Sequence, residues 1–407
     1  MALISQLAFR YLRGKRSANA VPILSRISMV AIAVSSAAMV IVFSVFNGLE
    51  SLVKDNYNSF YPDLKISAVR GKFFKMDSAK LIAVRRINGV SSISAVIEDN
   101  VIADNHGQQK VILLKGIDNN YFNVNDIRQF IVQGDDSVSE QGYTAIAGRH
   151  IINELGADVN IKFSTIELNY PNTAVTNPEA DPMSAYQSLK LHPAGAFVIQ
   201  DDFDSRYVLA PLSLVQELFH ETSHYSSIEI SADQRAIEKI KEQLHQLLGP
   251  GWKTETRYEQ NKTMYMVMGA EKWAIHAILV LVLLIASFNM VGALSMLVME
   301  KQKDIAILRA MGAQVETIRK IFLLEGVLWS LVGGLTGILL GCSICFAQQK
   351  FGLIKLGGGF FVDAWPVKIQ LADLGLIIVT ILTVGLLASW YPAIRATKTI
   401  DPTLKSA

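Results

Sequence analysis

The sequence predicts an α-helical membrane protein with four transmembrane helices plus a large α+β domain outside the membrane. Four apolar runs, Ile27 to Asn47, Trp273 to Met299, Gly326 to Gln348 and Leu374 to Ile394, carry no Asp, Glu, Lys or Arg. Each is long enough to cross a hydrocarbon core of ~30 Å at ~1.5 Å per helical residue. A long polar stretch, residues 48–272, separates the first from the second and is large enough to fold around its own core. The basic residues then orient the chain. Arg10, Arg13, Lys15, Arg16 and Arg26 precede the first run, Lys301, Lys303, Arg309, Arg319 and Lys320 lie between the second and third, and Arg395, Lys398 and Lys405 follow the fourth. By the positive-inside rule these three segments are cytoplasmic, so residues 48–272 and the loop 349–373 face outward.

Composition agrees with this division. In 407 residues, 51% hydrophobic content and a mean hydropathy of +0.30 are high for a soluble protein. The net charge of +2 comes with no basic tract interleaved with aromatics, which argues against nucleic acid as a partner. The two cysteines, Cys342 and Cys345, lie inside the third run, where small thiols pack between helices. No disulfide is therefore expected in the outer domain. The first apolar run is too long for a signal-peptide core and reads as an uncleaved anchor.

Taken in order, residues 1–26 contain a short amphipathic helix, with Ile4, Leu7 and Tyr11 opposite Gln6, Arg10 and Arg13, suited to the cytoplasmic interface. The first span (27–47) is rich in small residues, including Ala31, Ser35, Ala33 and Ala37, and Val45 to Leu49 marks its outer end. In the outer domain, residues 63–69, 90–103, 110–115 and 227–231 read as strands. Residues 78–86 and 234–248 read as helices, the second closed by Gly249, Pro250 and Gly251. Two strand-helix units thus flank an inserted β-rich subdomain at about 143–210. Within it, residues 169–194 hold Pro171, Pro178, Pro182 and Pro193 without periodicity and read as a long exposed loop. From Asn261 to Met299 there is no proline, so one helix runs from the outer domain through the second span (273–299). The third span (321–348) repeats glycine at Gly333, Gly337 and Gly341, a small-residue packing stripe. Glu325 lies at its cytoplasmic end, within reach of headgroups or of Arg319 and Lys320. The fourth span (374–394) is followed by a cytoplasmic tail (395–407).

Two stretches invite a chemical reading. Residues 220–224 spell HETSH, an HExxH pattern that on a helix places two imidazoles on one face to hold zinc. Here Thr222 and Ser223 are poor helix interiors and a strand follows at once, so the pattern reads as a solvated helix end and no metal is expected. The second stretch is EKQKDIAILRAMGA (300–313), within the cytoplasmic segment 300–320. As a helix it points Ile305 and Leu308 one way and Ile307 and Ala310 nearly opposite, so it needs cover on two sides. The chain contains no GxxxxGK[ST] phosphate-binding loop.

The motifs LAFRYLRGKRS (7–17), VFNGLE (45–50), SFNMVGALSMLVMEKQKDIAILRAMGA (287–313) and SWYPAIRATKTIDP (389–402) resemble the MacB and FtsX-like, type VII ABC transporter permeases, and within them the lipoprotein-releasing, Lol-type group. The resemblance implies a permease with no catalytic site of its own, paired with a second permease, identical or paralogous, and with cytoplasmic ABC ATPase subunits that bind ATP and Mg. It implies that Lys303, Asp304, Ile305, Ile307, Leu308, Arg309 and Gly312 form the coupling helix. It also implies an inner membrane of a Gram-negative bacterium, a periplasmic outer domain, a lipoprotein substrate and a periplasmic carrier. The acyl-chain cavity would draw on Met39, Val40, Phe43, Phe46, Ile278, Leu281 and Val282, in contact with membrane lipid. A carrier-binding loop would include Pro171, Pro178, Pro182 and Met183. Efflux of the MacB kind, FtsX-like regulation of a cell-wall hydrolase and, remotely, a zinc protease are the other readings.

Overall fold

The computed structural model describes residues 21–161, 164–172, 185–355 and 364–398. The chain divides into two compact units. In chain order it begins with α1 (Val21–Phe60), which continues as helix beyond Val45 to Leu49, where the sequence marks the outer end of the span. Asn47, Gly48, Glu50, Lys54 and Asp55 lie within it. Hydropathy marks the depth of lipid, whereas polar residues such as Glu50 and Lys54 extend a helix into water without difficulty.

The outer domain follows: β1 (Leu64–Ala68), α2 (Ser78–Arg85), β2 (Val90–Asn105), β3 (Gln108–Ile117), α3 (Tyr121–Val124), β4 (Ile131–Gly134), β5 (Thr144–Gly148) and α4 (Arg149–Glu154). Then come β6 (Ile166–Pro171), β7 (Tyr186–Phe197), α5 (Asp201–Asp204), β8 (Tyr207–Pro211), α6 (Leu212–Leu218), β9 (Ser227–Ala232), α7 (Ile237–Leu248), β10 (Trp252–Thr256) and α8 (Arg257–Gln260). The β-rich insert is hydrogen-bonded to the strands that flank it. Its strands join the same hydrogen-bonded sheet, β8 running parallel to β3 and β6 antiparallel to β2. The pairings β2–β3, β3–β8, β8–β5, β5–β7, β7–β6 and β6–β2 form a closed ring. A ring leaves its members no free edge for unwanted pairing. Beyond it, β9, β1 and β10 extend the sheet from β2.

Alternation along the strands feeds separate cores. Ala145 and Ala147 of β5 pack inside the ring with Ile97, Leu114 and Val208, while Ile146 between them packs outside with Val96, Leu209 and Phe197. The extension is covered by α2 and α7, whose Ile240, Leu244 and Leu248 recur every fourth residue and bury against Ile228, Ile230 and Ile66. The proposed exposed loop 169–194 is corrected at both ends. Pro171 and Tyr186 are register partners of β6 and β7, and Pro193 lies beside a register shift in the β5–β7 ladder, a position where a missing N–H is tolerated.

The other unit contains α1 to Leu52 with α9 (Lys262–Glu300), α10 (Gln302–Ala310), α11 (Val315–Phe351) and α12 (Leu371–Lys398). Helices α1, α9, α11 and α12 are all long and apolar enough to cross a membrane. Leu283, Ser287, Met290, Leu294 and Leu297 of α9 recur at alternating spacings of four and three and turn inward, toward a core shared with Ile32, Trp329 and Ile381. Gly333, Gly337 and Gly341 face α1. A Cβ on them would lie 2.7 Å from the Met29 carbonyl oxygen, 2.2 Å from that of Ala33 and 3.0 Å from that of Ala37. Ser36 on α1 returns its hydroxyl to the Ile32 carbonyl (2.7 Å), so its polar atom is satisfied inside the helix pair.

Candidate functional site

The charged segment after α9 folds as α10. Its first turn is closed by Lys301 and Asp304 (3.1 Å), and its end by Gly312, whose φ of +90° suits a left-handed C-terminal cap. The Ala313 N–H then returns to the Leu308 carbonyl (3.0 Å). Ile305 is buried against the membrane helices, and Leu308 is half-buried. Ile307 is 59% exposed and Met311 77% exposed, with Lys303 and Arg309 also exposed. One side of this helix thus belongs to the fold, and the other presents apolar side chains inside a basic rim.

The cavity residues of the sequence analysis separate into two sets. Met39, Val40 and Phe43 are buried within the helix packing, Val40 against Gly341 and Phe43 stacked on His276 with centroids 5.6 Å apart. Phe46 is half-buried. Ile278, Leu281 and Val282 face outward from α9. Glu325 is buried, with one carboxylate oxygen lacking a hydrogen-bond partner. Arg319, one of the groups the sequence places within its reach, lies over the Trp390 ring at 4.3 Å.

Within the outer domain the last turns of α1 form a foot. Asn56 Nδ2 donates to the Ile199 carbonyl (3.1 Å), the Tyr57 hydroxyl donates to Asp202 (3.1 Å), and the Phe60 ring packs on Phe203 and Tyr207 at 4.4 and 4.6 Å. Beneath it lies a buried ion pair, Lys115 Nζ to Glu229 Oε1 at 2.7 Å, with Asn125 donating to the other carboxylate oxygen (2.5 Å). The ammonium also faces the Phe60 and Tyr121 rings at 5.1 and 4.9 Å. Burial alone would lower the Lys115 pKa; the Glu229 carboxylate outweighs it and holds the value well above the ordinary one. None of these contacts was predicted, because they join β3, β9 and the end of α1 across long sequence separations.

The grip on Ile199 to Asp204 depends on a buried carboxyl. Burial pushes Asp204 up to about 6, although the Ile199 N–H donates to it (2.8 Å) and favours the ionised form. A carboxyl with a raised folded pKa binds its proton in the native state before the unfolded state does, so stability rises as pH falls through about 6 and levels off near the ordinary carboxyl value. Thermal unfolding of Asp204→Asn from pH 7 to 5 is expected to lack this rise. The gap between variant and wild type should therefore change across that window, while the nearby His150–Asp201 pair contributes equally to both.

The HExxH residues do not share a helical face. Helix α6 ends at Leu218, and His220 and Ser223 adopt φ of +55° and +64°. Among the described residues no group of three metal-ligating side chains comes together. Residues 2–17 and the loop residues Pro178, Pro182 and Met183 lie outside the described residues; Pro171 ends β6.

Comparison with known proteins places these features in a family. Residues 25–247 match the model of the MacB-like periplasmic core domain, and residues 276–399 that of the FtsX-like permease C-terminal region. The chain is 25% identical over 415 residues to the "Lipoprotein-releasing system transmembrane protein LolE" of Haemophilus influenzae, covering 96% of each chain. It is 23% identical over 418 residues to the LolC protein of Neisseria meningitidis, covering 98% of this chain and 97% of that one. The periplasmic region of MacB from Actinobacillus actinomycetemcomitans superposes with a TM-score of 0.37 at 13% identity, over 53% of this chain and 98% of that one. The chain belongs to the MacB/FtsX-like ABC transporter permeases, of the LolC/LolE type: a multi-pass inner-membrane subunit with a periplasmic domain that works with an ATPase carried on a separate chain.

Proposed function

We propose that this permease uses ATP hydrolysed by its partner subunits to extract lipoproteins from the outer leaflet of the inner membrane and pass them to a periplasmic carrier. The observation that carries the reading is end-to-end likeness, over 96% of both chains, to a protein named for lipoprotein release. Acyl chains cost ~0.8 kcal/mol per CH₂ to expose to water, so such a substrate needs both an energy source and a sheltered path. A second permease, identical or paralogous, would complete that path. The outward-facing Ile278, Leu281 and Val282 would meet the lipid, whereas Met39, Val40 and Phe43 would back the wall. The loop containing Pro171, Pro178, Pro182 and Met183 would meet the carrier. Both termini would be cytoplasmic, in a Gram-negative cell.

Coupling falls to α10. ATP and Mg would be held by the ATPase, and closure of its subunits would move α10 through Ile307 and Met311, with Lys303 and Arg309 at the rim. Helix α9, unbroken for 39 residues or ~58 Å, would carry the displacement. Ile307→Asp or Met311→Asp is expected to weaken capture of the ATPase at least tenfold in detergent, at unchanged thermal stability. Ile305→Asp is a different experiment, since Ile305 is buried in the chain's own core. For the substrate, the permease and its ATPase in liposomes should release lipoprotein only with both ATP and carrier. Release of a drug or peptide instead would favour efflux, and ATP-dependent activation of a hydrolase without release would favour a regulatory role.

A further inference from the structure

The loop between α11 and α12 breaks the charge rule that orients the chain. It packs at the end of α1 from which the chain enters the outer domain: the Lys368 N–H donates to the Ser44 carbonyl (2.8 Å), and a Cβ on Gly48 would sit 2.1 Å from the Pro366 carbonyl oxygen. Between Glu325 and Asp373 the sequence nevertheless holds three lysines, Lys350, Lys355 and Lys368, against one acid, Asp363. Asp373 itself is taken by Lys272 of α9 (3.0 Å). Lysines normally concentrate in loops on the cytoplasmic side, so an excess on the outer side needs a cause of its own.

The parts of the loop next to the helices are fixed, with apolar side chains left outside. Helix α11 closes on Gly352, whose φ is +55°. The buried Gln348 then joins both ends of the loop: its Nε2 donates to the carbonyls of Ile354 (2.9 Å) and Trp365 (3.3 Å), and its Oε1 accepts from the Ile354 N–H (2.9 Å). Gln349 Nε2 donates to the Val367 carbonyl (2.6 Å). Backbone polar groups are thereby satisfied, while Phe351, Leu353, Ile354 and Leu371 remain 62 to 84% exposed and Trp365 39% exposed. Large apolar side chains held outward on a fixed backbone mark a contact surface. Its depth follows from the helix. The charge-free part of α11, Gly326 to Gln349, covers ~36 Å at ~1.5 Å per residue, so the patch stands where hydrocarbon gives way to headgroups.

We propose that this loop is a binding surface for anionic phospholipids of the outer leaflet, with Phe351, Leu353, Ile354 and Trp365 at the boundary of acyl chains and headgroups and Lys350 and Lys355 on the phosphates. Lys368 already donates to Ser51 Oγ (3.0 Å), whereas Lys350 and Lys355 are exposed, the first within 5.8 Å of the Phe351 ring centre. An apolar body with ammonium tips is the chemistry of a segment that lies in the membrane interface. An acidic protein partner would use the lysines but not an apolar patch at membrane depth. Through Ser44 and Gly48 the bound lipid steadies the outer end of α1, whatever the substrate.

The test reads which lipid touches the loop. The full chain with its ATPase, carrying Cys342→Ala and Cys345→Ala, is placed in phosphatidylcholine liposomes and labelled with bimane at Leu353→Cys, with Ile285→Cys, exposed midway along the second span, as the control. At low salt, phosphatidylglycerol brominated in its acyl chains is expected to half-quench the Leu353→Cys label at about a fivefold lower mole fraction than brominated phosphatidylcholine, the preference one ammonium near an anionic surface confers. At Ile285→Cys the two lipids should quench alike. Lys350→Gln combined with Lys355→Gln should abolish the preference at Leu353→Cys and leave quenching by phosphatidylcholine unchanged; high salt should weaken the preference in the parent. Quenching by neither lipid would set the patch against water or protein, and equal quenching by both would mean apolar contact without headgroup recognition. A preference that survives in the double variant would exclude the lysines. Each of these three results overturns the proposal.

Discussion

Replacing Lys115 with methionine is expected to cost the periplasmic domain about 3–5 kcal/mol, the range for removing one partner of a buried ion pair. Glu229 is 1% exposed and would keep only Asn125 as a hydrogen-bond donor to its side chain, leaving a carboxylate in a site walled by Phe60 and Tyr121. At roughly 2–4 °C per kcal/mol for a domain of this size, the melting temperature should fall by about 6–20 °C. Because the Lys115 pKa is raised in the folded state, the contribution of the pair is fully present at neutral pH and is lost only as pH climbs above the ordinary lysine range. Calorimetry of the wild type, Lys115→Met and Lys115→Met/Glu229→Gln separates the causes. If the loss comes from the stranded charge, the double variant recovers much of it, since glutamine still accepts from Asn125. If the double variant is as unstable as the single one, the ammonium contributes mainly through the Phe60 and Tyr121 rings. The foot of α1 would then depend directly on the cation.

How much of this was legible in the sequence follows the range of the interactions. Periodicity disclosed what is local: the spans, the Ile240, Leu244 and Leu248 stripe of α7, the turn at His106 and Gly107 between β2 and β3, and the two-sided character of α10. It failed where the partner is remote. Closure of the ring needs Ile102 to face Asn169, and the Tyr186 to Phe197 stretch is ordered by β6 and β5 on its two sides, so its residues 186–194 read as loop. Lys272 and Asp373 each read as a charge bordering an apolar run, and nothing nearby pairs residues 101 positions apart. Pattern could say that Ile305, Ile307 and Leu308 need cover on two sides. Only packing divides that cover between the chain's own core at Ile305 and a partner at Ile307.

Gly337→Leu is expected to prevent α1 and α11 from packing and to remove most folded protein from the membrane fraction. The limit is set by backbone. Even one Cβ at Gly337 would lie 2.2 Å from the Ala33 carbonyl oxygen and 2.8 Å from Ser36 Cβ, and the neighbouring sites at Gly333 and Gly341 allow no sliding along the helix. The carbonyl belongs to a helix and cannot rotate away, so the axes must separate along the whole glycine stripe. Between membrane helices association rests largely on such close contact, there being no water to expel from between two apolar surfaces. Gly337→Ala should therefore already cost about 1–3 kcal/mol, as overpacking of a dense core does. Gly375, in α12, has open space where its Cβ would stand, and Gly375→Ala should be neutral or stabilising by up to ~1 kcal/mol through helix propensity. Thermal stability in detergent and the yield of folded chain would rank the three variants. Equal tolerance at positions 337 and 375 would mean that the α1–α11 contact is far looser than its geometry requires.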